Sequence, residues 1–335
     1  MIYVPPTFVR RVILAPLVVL VELAIIVASP LLALVAVLAS PLTGGSWRPL
    51  RVAVMTVGWA VCHLLGALAC LGLWIVGGFG LRAADSERVR AGHHAVLRWY
   101  IASVNRLAMR WARVTVHITK SEAAELALQR RERPVAVLSR HAGEGDSLLV
   151  LHALLCRYGR QPRVVLTEAL RLDPVIDVLG SHLSYRFIDP RGGDIEVEIA
   201  AMARDLDGDG AVLIFPEGGN FSHERRARSI ARLERAGHDE EAAQARDMEH
   251  VAAPRPGGAL TAIEAAPDAD VVFVGHVGMP VGVRDIWRGL LAPRTVELRL
   301  WHVAAQDVPA GRNAQIDWLF DWWCKLDDWV DERGP

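Results

Sequence analysis

Val135-Ala136-Val137-Leu138-Ser139-Arg140-His141-Ala142-Gly143-Glu144-Gly145-Asp146 is the stretch on which the fold turns. A short apolar run, a loop carrying two glycines and a helix-opening aspartate read as a buried strand, a turn and a helix. That order places His141 at the carboxyl end of a strand, the edge where open α/β sheets put their ligands. Asp146 begins the following helix and can turn back to hold the imidazole. A histidine so held can take a proton from an alcohol, because imidazole titrates near neutral pH. Spacing alone is a weak signal, since a second His-x-x-x-x-Asp stands at His302 and Asp307.

The discriminating feature lies further along, at Val212-Leu213-Ile214-Phe215-Pro216-Glu217-Gly218-Gly219. Another buried strand ends there in Pro-Glu-Gly, which brings a carboxylate and permissive backbone to the same sheet edge. No such partner follows His302. Outward from these two strands, β-branched runs alternate with helical stretches. Strands are predicted at 114–118, 134–139, 163–167, 185–188, 211–215, 271–275 and 295–301. Helices are predicted at 122–131, 146–158, 194–206, 224–235, 240–247 and 258–266, with a last one at 313–332. This alternation predicts an α/β fold, a mixed and mainly parallel sheet with helices on both faces. The charged helical stretch at about 223–250 reads as an excursion from that sheet, and no internal repeat is present.

The amino-terminal quarter has a different composition. Hydrophobic residues make up 52% of the 335 and mean hydropathy is +0.24, an excess concentrated near the start. From Val12 to Leu42 the only charged residue is Glu22, and from Val52 to Leu81 there is none. Each run exceeds the roughly 20 apolar residues that cross a bilayer core. Two such runs around a Thr43-Gly44-Gly45-Ser46 turn predict a two-helix membrane hairpin rather than a cleaved signal peptide. Pro16, Pro30 and Pro41 allow the first run to bend and dip into one leaflet instead of spanning.

The chain accordingly reads as a membrane-anchoring hairpin over 1–84 followed by a catalytic domain over 85–335. Arg10 and Arg11 before the hairpin, and Arg82, Arg88, Arg90 and Arg98 after it, outnumber Arg48 and Arg51 in the turn. The positive-inside rule then puts the domain on the cytoplasmic side of the cell membrane. Glu22 and His63 are ionisable groups at membrane depth. Counted as straight helices they lie about 15 Å and about 27 Å from the matching ends of their runs, so they are expected not to pair. The segment from Ser86 to Trp111 is an arginine-rich amphipathic helix, suited to the interface or to packing on the domain.

The remaining composition excludes several chemistries. A net charge of −1 gives no general attraction to nucleic acid. Lys120 and Lys325 are the only lysines, and neither sits in a promising motif for covalent chemistry. Cys62, Cys70, Cys156 and Cys324 have no metal-binding or disulfide-framework spacing and read as reduced packing residues.

His141 with Asp146, and Phe215-Pro216-Glu217-Gly218, resemble the first and third motifs of the glycerolipid acyltransferase family. The second motif, Phe-Ile-x-Arg, resembles Phe187-Ile188-Asp189-Pro190-Arg191 with one extra residue before the arginine. The stretch from His250 to Gly258 through Arg255 resembles the Pro-Arg-x-x-Gly segment of the lysophosphatidate and lysocardiolipin branch, as do Asp317-Trp318-Leu319 and Lys325-Leu326-Asp327-Asp328. The resemblance covers about residues 85–335 and rests on the joint order of motifs.

It implies that His141 is a general base oriented by Asp146, and that an acceptor hydroxyl attacks an acyl thioester directly. Glu217 and Gly218 are implied to shape the acceptor site, with Arg191 and Arg255 as candidates for an anionic headgroup. The implied partners are acyl-CoA or acyl carrier protein as donor, a lysophospholipid acceptor, and membrane lipid. Neither a cofactor nor a metal is implied. In two places the sequence departs from the family. Gly219-Asn220 stands where Thr-Arg is usual, and Thr167 stands where many members carry lysine. Either Arg171, Arg191, Arg225 or Arg255 compensates for the lost cations, or the acceptor is another lysolipid or one without a phosphate; a membrane-tethered lipid-binding homologue without activity is the alternative of a different class.

Three further features have plainer readings. Asp205-Leu206-Asp207-Gly208-Asp209-Gly210 imitates the start of a calcium loop, but its twelfth position is Pro216, so it reads as a helix-to-strand turn. Glu144 reads as an exposed loop acid. Trp318, Trp322, Trp323 and Trp329 recur at roughly helical spacing and are expected to pack on the domain.

Overall fold

Every strand expected from the alternating pattern is present in the computed structural model, which describes residues 3–78, 87–143, 145–188, 195–280 and 283–334. The strands are β1 (Val114–Lys120), β2 (Val135–Ser139), β3 (Gln161–Thr167), β4 (Arg186–Ile188), β5 (Gly210–Ile214), β6 (Asp270–Val277) and β7 (Arg294–Val303). They form a seven-stranded sheet in the order β1-β7-β6-β2-β5-β3-β4. β2 runs parallel to both β5 and β6, β3 runs parallel to both β5 and β4, and β7 is antiparallel to β6. The fold is therefore mixed α/β and mostly parallel. β2 and β5 are wholly buried along their length, which is why they read as continuous apolar runs rather than alternating ones.

By internal packing the chain divides into two units. One comprises Met1–Val114, Val165–Gly193 and Trp287–Pro293, the other Thr115–Val164, Asp194–Ile286 and Arg294–Pro335. The expected boundary at 84–85 lies outside the described residues.

In the first unit, Arg48–Val76 is the one described helix long and apolar enough to cross a membrane. The first apolar run is broken. Helix Thr7–Val27, with a π-type turn at Arg10–Leu14, meets Ser29–Ala39 at 57°, and Pro30 sits in the first turn after the break. Glu87–Ala112 is a single helix that buries His93, Leu97, Tyr100, Ile101 and Asn105. It lies close against Arg48–Val76: a Cβ on Gly58 would fall 2.7 Å from Leu107, and one on Gly92 would fall 2.6 Å from Leu73. Glycine at these two positions lets the helices approach.

Glu22 and His63 were expected not to pair, and here the structure corrects the sequence reading. His63 Nδ1 is in ion-pair contact with the Glu22 carboxylate, and both side chains are buried. Counting residues from the run ends assumes two straight rods, whereas the first helix starts at Thr7 and bends at residue 28. Two ionisable groups in apolar surroundings gain from meeting. His63 Nε2 also lies 3.0 Å from Asp173, whose carboxylate accepts the N–H groups of Val175 and Ile176 at 2.9 Å each and caps helix Pro174–His182. That helix was not predicted, although an aspartate before a proline is an N-terminal signal.

In the second unit, helix Glu122–Arg130 packs on β7, Pro256–Ala265 on β2 and β5, and Arg312–Asp331 on β6. The Asp146 helix gives way to a π-type turn at Ala153–Arg157. The tail tryptophans are packing residues. Trp322 stacks on Phe273 of β6 with centroids 4.4 Å apart, and Trp323 is fully buried. The acidic run at 205–210 is the turn that ends helix Ile195–Ala203 and leads into β5, and no metal-ready cluster occurs among the described residues.

Candidate active site

The register of two neighbouring strands brings the two motifs together. β2 and β5 pair in parallel with Val137 opposite Leu213 and Leu138 opposite Ile214, so the loops after both strands leave the same sheet edge side by side. His141 and Glu217, 76 residues apart in sequence, meet there: the His141 backbone N–H donates to Glu217 Oε1 at 2.9 Å. The His141 carbonyl accepts the Phe221 N–H at 2.7 Å, which fixes the other side of the same peptide segment. The Phe215 ring lies against the imidazole, with centroids 4.4 Å apart.

Gly145, at φ 94°, gives the loop the left-handed step that a side chain would resist, and Asp146 follows as the first helical residue. His141 Nδ1 lies 2.9 Å from Asp146 Oδ2. The same oxygen accepts the Gly143 N–H at 3.2 Å, while Oδ1 accepts the Ser147 N–H at 2.6 Å and the Ser147 hydroxyl at 3.2 Å. Burial pushes the Asp146 carboxyl up, but hydrogen bonds from His141 and His276 outweigh it and hold the group well below the usual carboxylate range. An ionised carboxylate only accepts, so in the neutral imidazole of His141 the proton sits on Nδ1 and Nε2 presents a lone pair. The His141 side chain is 20% exposed against 1% for Asp146, and Nε2 has no hydrogen-bond partner among the described residues.

Two neighbours of this pair escaped the sequence reading. His276, near the end of β6, is fully buried with Nε2 3.2 Å from the Arg140 carbonyl and 3.5 Å from Asp146 Oδ2. Arg140 is 4% exposed and donates to the His276 carbonyl at 2.6 Å and the His250 carbonyl at 2.8 Å. Neither carried a legible signal, since each is a lone polar residue inside or beside an apolar strand.

Glu217 is 2% exposed, and its second oxygen accepts the Ala252 N–H at 3.0 Å. It therefore acts on the site through the His141 backbone rather than by facing a ligand. The 249–252 segment is held in turn by Asp327 of the tail helix, which accepts the Glu249 and His250 N–H groups at 2.8 and 2.7 Å. Burial pushes the Glu217 carboxyl up to about 7 against the pull of its two N–H donors and of Arg140. With the folded value above the ordinary one, the contribution to stability is present below about pH 4.5 and is lost as pH rises through about 7. Glu217→Gln must aim an amide N–H at one of the two backbone donors. It should lower stability by about 1–3 kcal/mol at low pH and flatten the dependence between pH 5 and 8, as read from melting midpoints of wild type and variant.

Two guanidinium groups stand over the next turn. Gly218 has φ 73°, and a Cβ there would lie 3.1 Å from the Arg255 guanidinium; one on Gly219 would lie 2.8 Å from that of Arg225. Arg225 donates weakly to the Gly218 carbonyl at 3.4 Å, and Arg255 is anchored by its own backbone N–H to the Pro216 carbonyl at 2.8 Å. Burial, then the charge of Arg225, pulls the Arg255 guanidinium down. Among the described residues no carboxylate pairs with either, so the structure brings two cations to the Pro-Glu-Gly turn. Of the other candidates, Arg191 and Glu144 lie outside the described residues. His302 is bonded at 3.1 Å to Asp270, the first residue of β6, and not to Asp307.

Searches among curated proteins and among solved structures returned no match. Residues 113–275, from the edge of β1 into β6, match the model of the Acyltransferase family.

Proposed function

We propose that the protein is a membrane-bound O-acyltransferase that moves a fatty acyl group from acyl-CoA to the free hydroxyl of a lysoglycerolipid, with lysophosphatidic acid as the leading acceptor. The observation that carries this reading is the His141–Asp146 pair at 2.9 Å, its imidazole exposed at Nε2 and its backbone fixed by buried Glu217. Nε2 takes the proton of the acceptor hydroxyl as its oxygen attacks the thioester carbonyl carbon. Asp146 stabilises the imidazolium that forms. The tetrahedral intermediate then collapses with loss of the coenzyme thiolate, which receives that proton, and no acyl-enzyme is needed. Arg255 and Arg225 would hold the acceptor phosphate in place of the family's arginine, which is Asn220 here.

The apolar helices of the first unit would anchor the chain, and the flanking arginines would face the domain to the cytoplasm. The test offers the full-length protein a panel of lysophospholipids and uncharged monoacylglycerol with labelled acyl-CoA or acyl carrier protein. Label should appear in a diacyl product, with the phosphate-bearing acceptors preferred. Hydrolysis of the thioester without transfer to any of them would overturn the reading.

A further inference from the structure

The first unit holds a cavity of about 690 Å³, within the range of ligand pockets. Its walls are apolar side chains of the amino-terminal helix and of Arg48–Val76, among them Val12, Leu68, Leu71 and Trp74. None of His141, Asp146, Glu217, Gly218 or Arg255 lines it.

Its polar lining is unevenly charged. Arg10, Arg11 and Arg171 all converge on the single carboxylate of Asp177. Arg10 uses both oxygens, at 3.3 and 3.0 Å, and its side chain is 8% exposed. Arg171 shares Oδ1 at 3.2 Å, and Arg11 stands off at 3.7 Å with its side chain 42% exposed. Among the described residues, one carboxylate thus serves three guanidinium groups and leaves two positive charges uncompensated at an apolar cavity. Such charges are costly next to hydrocarbon unless an anion meets them.

We propose that this cavity is a binding site for an anionic bilayer phospholipid, with an acyl chain along the apolar walls and the headgroup phosphate on Arg11 and Arg171. The proposal rests on the membrane reading above. Basic pockets between membrane helices favour such headgroups, and the excess charge specifies an anionic lipid over a zwitterionic one. Arg10 is the structural member of the group, held by Asp177, while the side chains of Arg11 and Arg171 are 42% and 28% exposed, that of Arg171 resting over the Phe187 ring.

The experiment uses full-length protein in neutral detergent, with bound lipid counted by native mass spectrometry. One dioleoyl phosphatidylglycerol should be retained at concentrations where dioleoyl phosphatidylcholine is lost. Arg11→Gln and Arg171→Gln should each weaken that retention about tenfold, and Ala67→Phe, which fills the cavity, should abolish it without altering charge. Equal retention of the two lipids by the wild type, or unchanged retention in the arginine double variant, would overturn the site. So would displacement by inorganic phosphate, or by one equivalent of lysophosphatidic acid, which would make the cavity an acceptor site. Flotation with pure phosphatidylcholine vesicles tests the membrane reading separately. Protein that floats but shows no preference for phosphatidylglycerol sinks only the cavity proposal, and protein that never floats sinks the membrane reading.

Discussion

His141→Ala should reduce acyl transfer by about 10² to 10⁴, the contribution expected of a positioned general base. The backbone of residue 141 stays tied to Glu217 and Phe221 whatever its side chain, so the loop should persist and the loss should be chemical. Asp146→Asn should cripple the enzyme too, for a reason visible in the hydrogen bonds. Both oxygens of Asp146 accept, Oδ2 from His141 and Gly143 and Oδ1 from Ser147. An asparagine must turn its amide N–H groups toward one set of donors. Facing His141, they would force the proton to Nε2 and remove the lone pair that receives the acceptor's proton.

Because the Asp146 carboxyl is held well below its usual range, it stays ionised near neutral pH, and its stabilising effect is fully present above about pH 3.8 and is lost progressively as pH falls below that value. His302→Ala is the matched control. Its partner Asp270 opens β6, whereas His276 stands near the carboxyl end of that strand, next to Asp146. Transfer by folded His302→Ala should stay within a few-fold of wild type. Equal losses at His302 and His141 would refute the assignment.

The second large effect is expected at the Gly218–Gly219 turn. Arg255→Ala keeps the backbone bond to Pro216 and removes only the guanidinium over Gly218. Losing one charge-assisted contact to a phosphate should cost about 1.5–3 kcal/mol, a factor of roughly ten to a hundred in affinity. The acceptor's KM should rise by that factor while the KM of acyl-CoA is little changed. Arg225→Ala should act in the same direction, and the double variant should fall short of the sum, since the two guanidinium groups share one locality. An uncharged acceptor should not respond to either change. If both variants are silent and uncharged acceptors outcompete lysophosphatidic acid, the phosphate reading falls while the acyl-transfer reading stands.

How much of this was legible depends on whether a feature is local. The β2 and β5 runs, the glycine loop before Asp146 and the Pro-Glu-Gly turn each state their conformation within a few residues, so strands, edge and the His141–Asp146 pair could be read directly. The helix at Pro174–His182 is equally local, with its signal in the Asp173 cap and in Pro174 at the first helical position. The role of Glu217 was only half legible. A carboxylate after a buried strand suggests a ligand-facing group, yet both oxygens are consumed by backbone N–H groups at 2.9 and 3.0 Å. Arg225, one cation among several in a charged helix, became specific only through its position over Gly219.

By itself the sequence determined the succession of strands, the mixed and mainly parallel α/β sheet, the apolar amino-terminal helices and the joint presence of His141, Asp146 and Glu217. Hydrophobic period, turn residues and caps act over a handful of neighbours, and such information survives in one dimension. Tertiary structure alone decided which distant groups meet. The bend at residue 28 brought Glu22 to His63 against the straight-helix count. The β6 register set His276 beside Asp146, and Asp327 of the tail helix fixed the turn that reaches Glu217. Those contacts depend on bend angle, strand order and register, each set by the packing of whole elements, and no short stretch of residues encodes them.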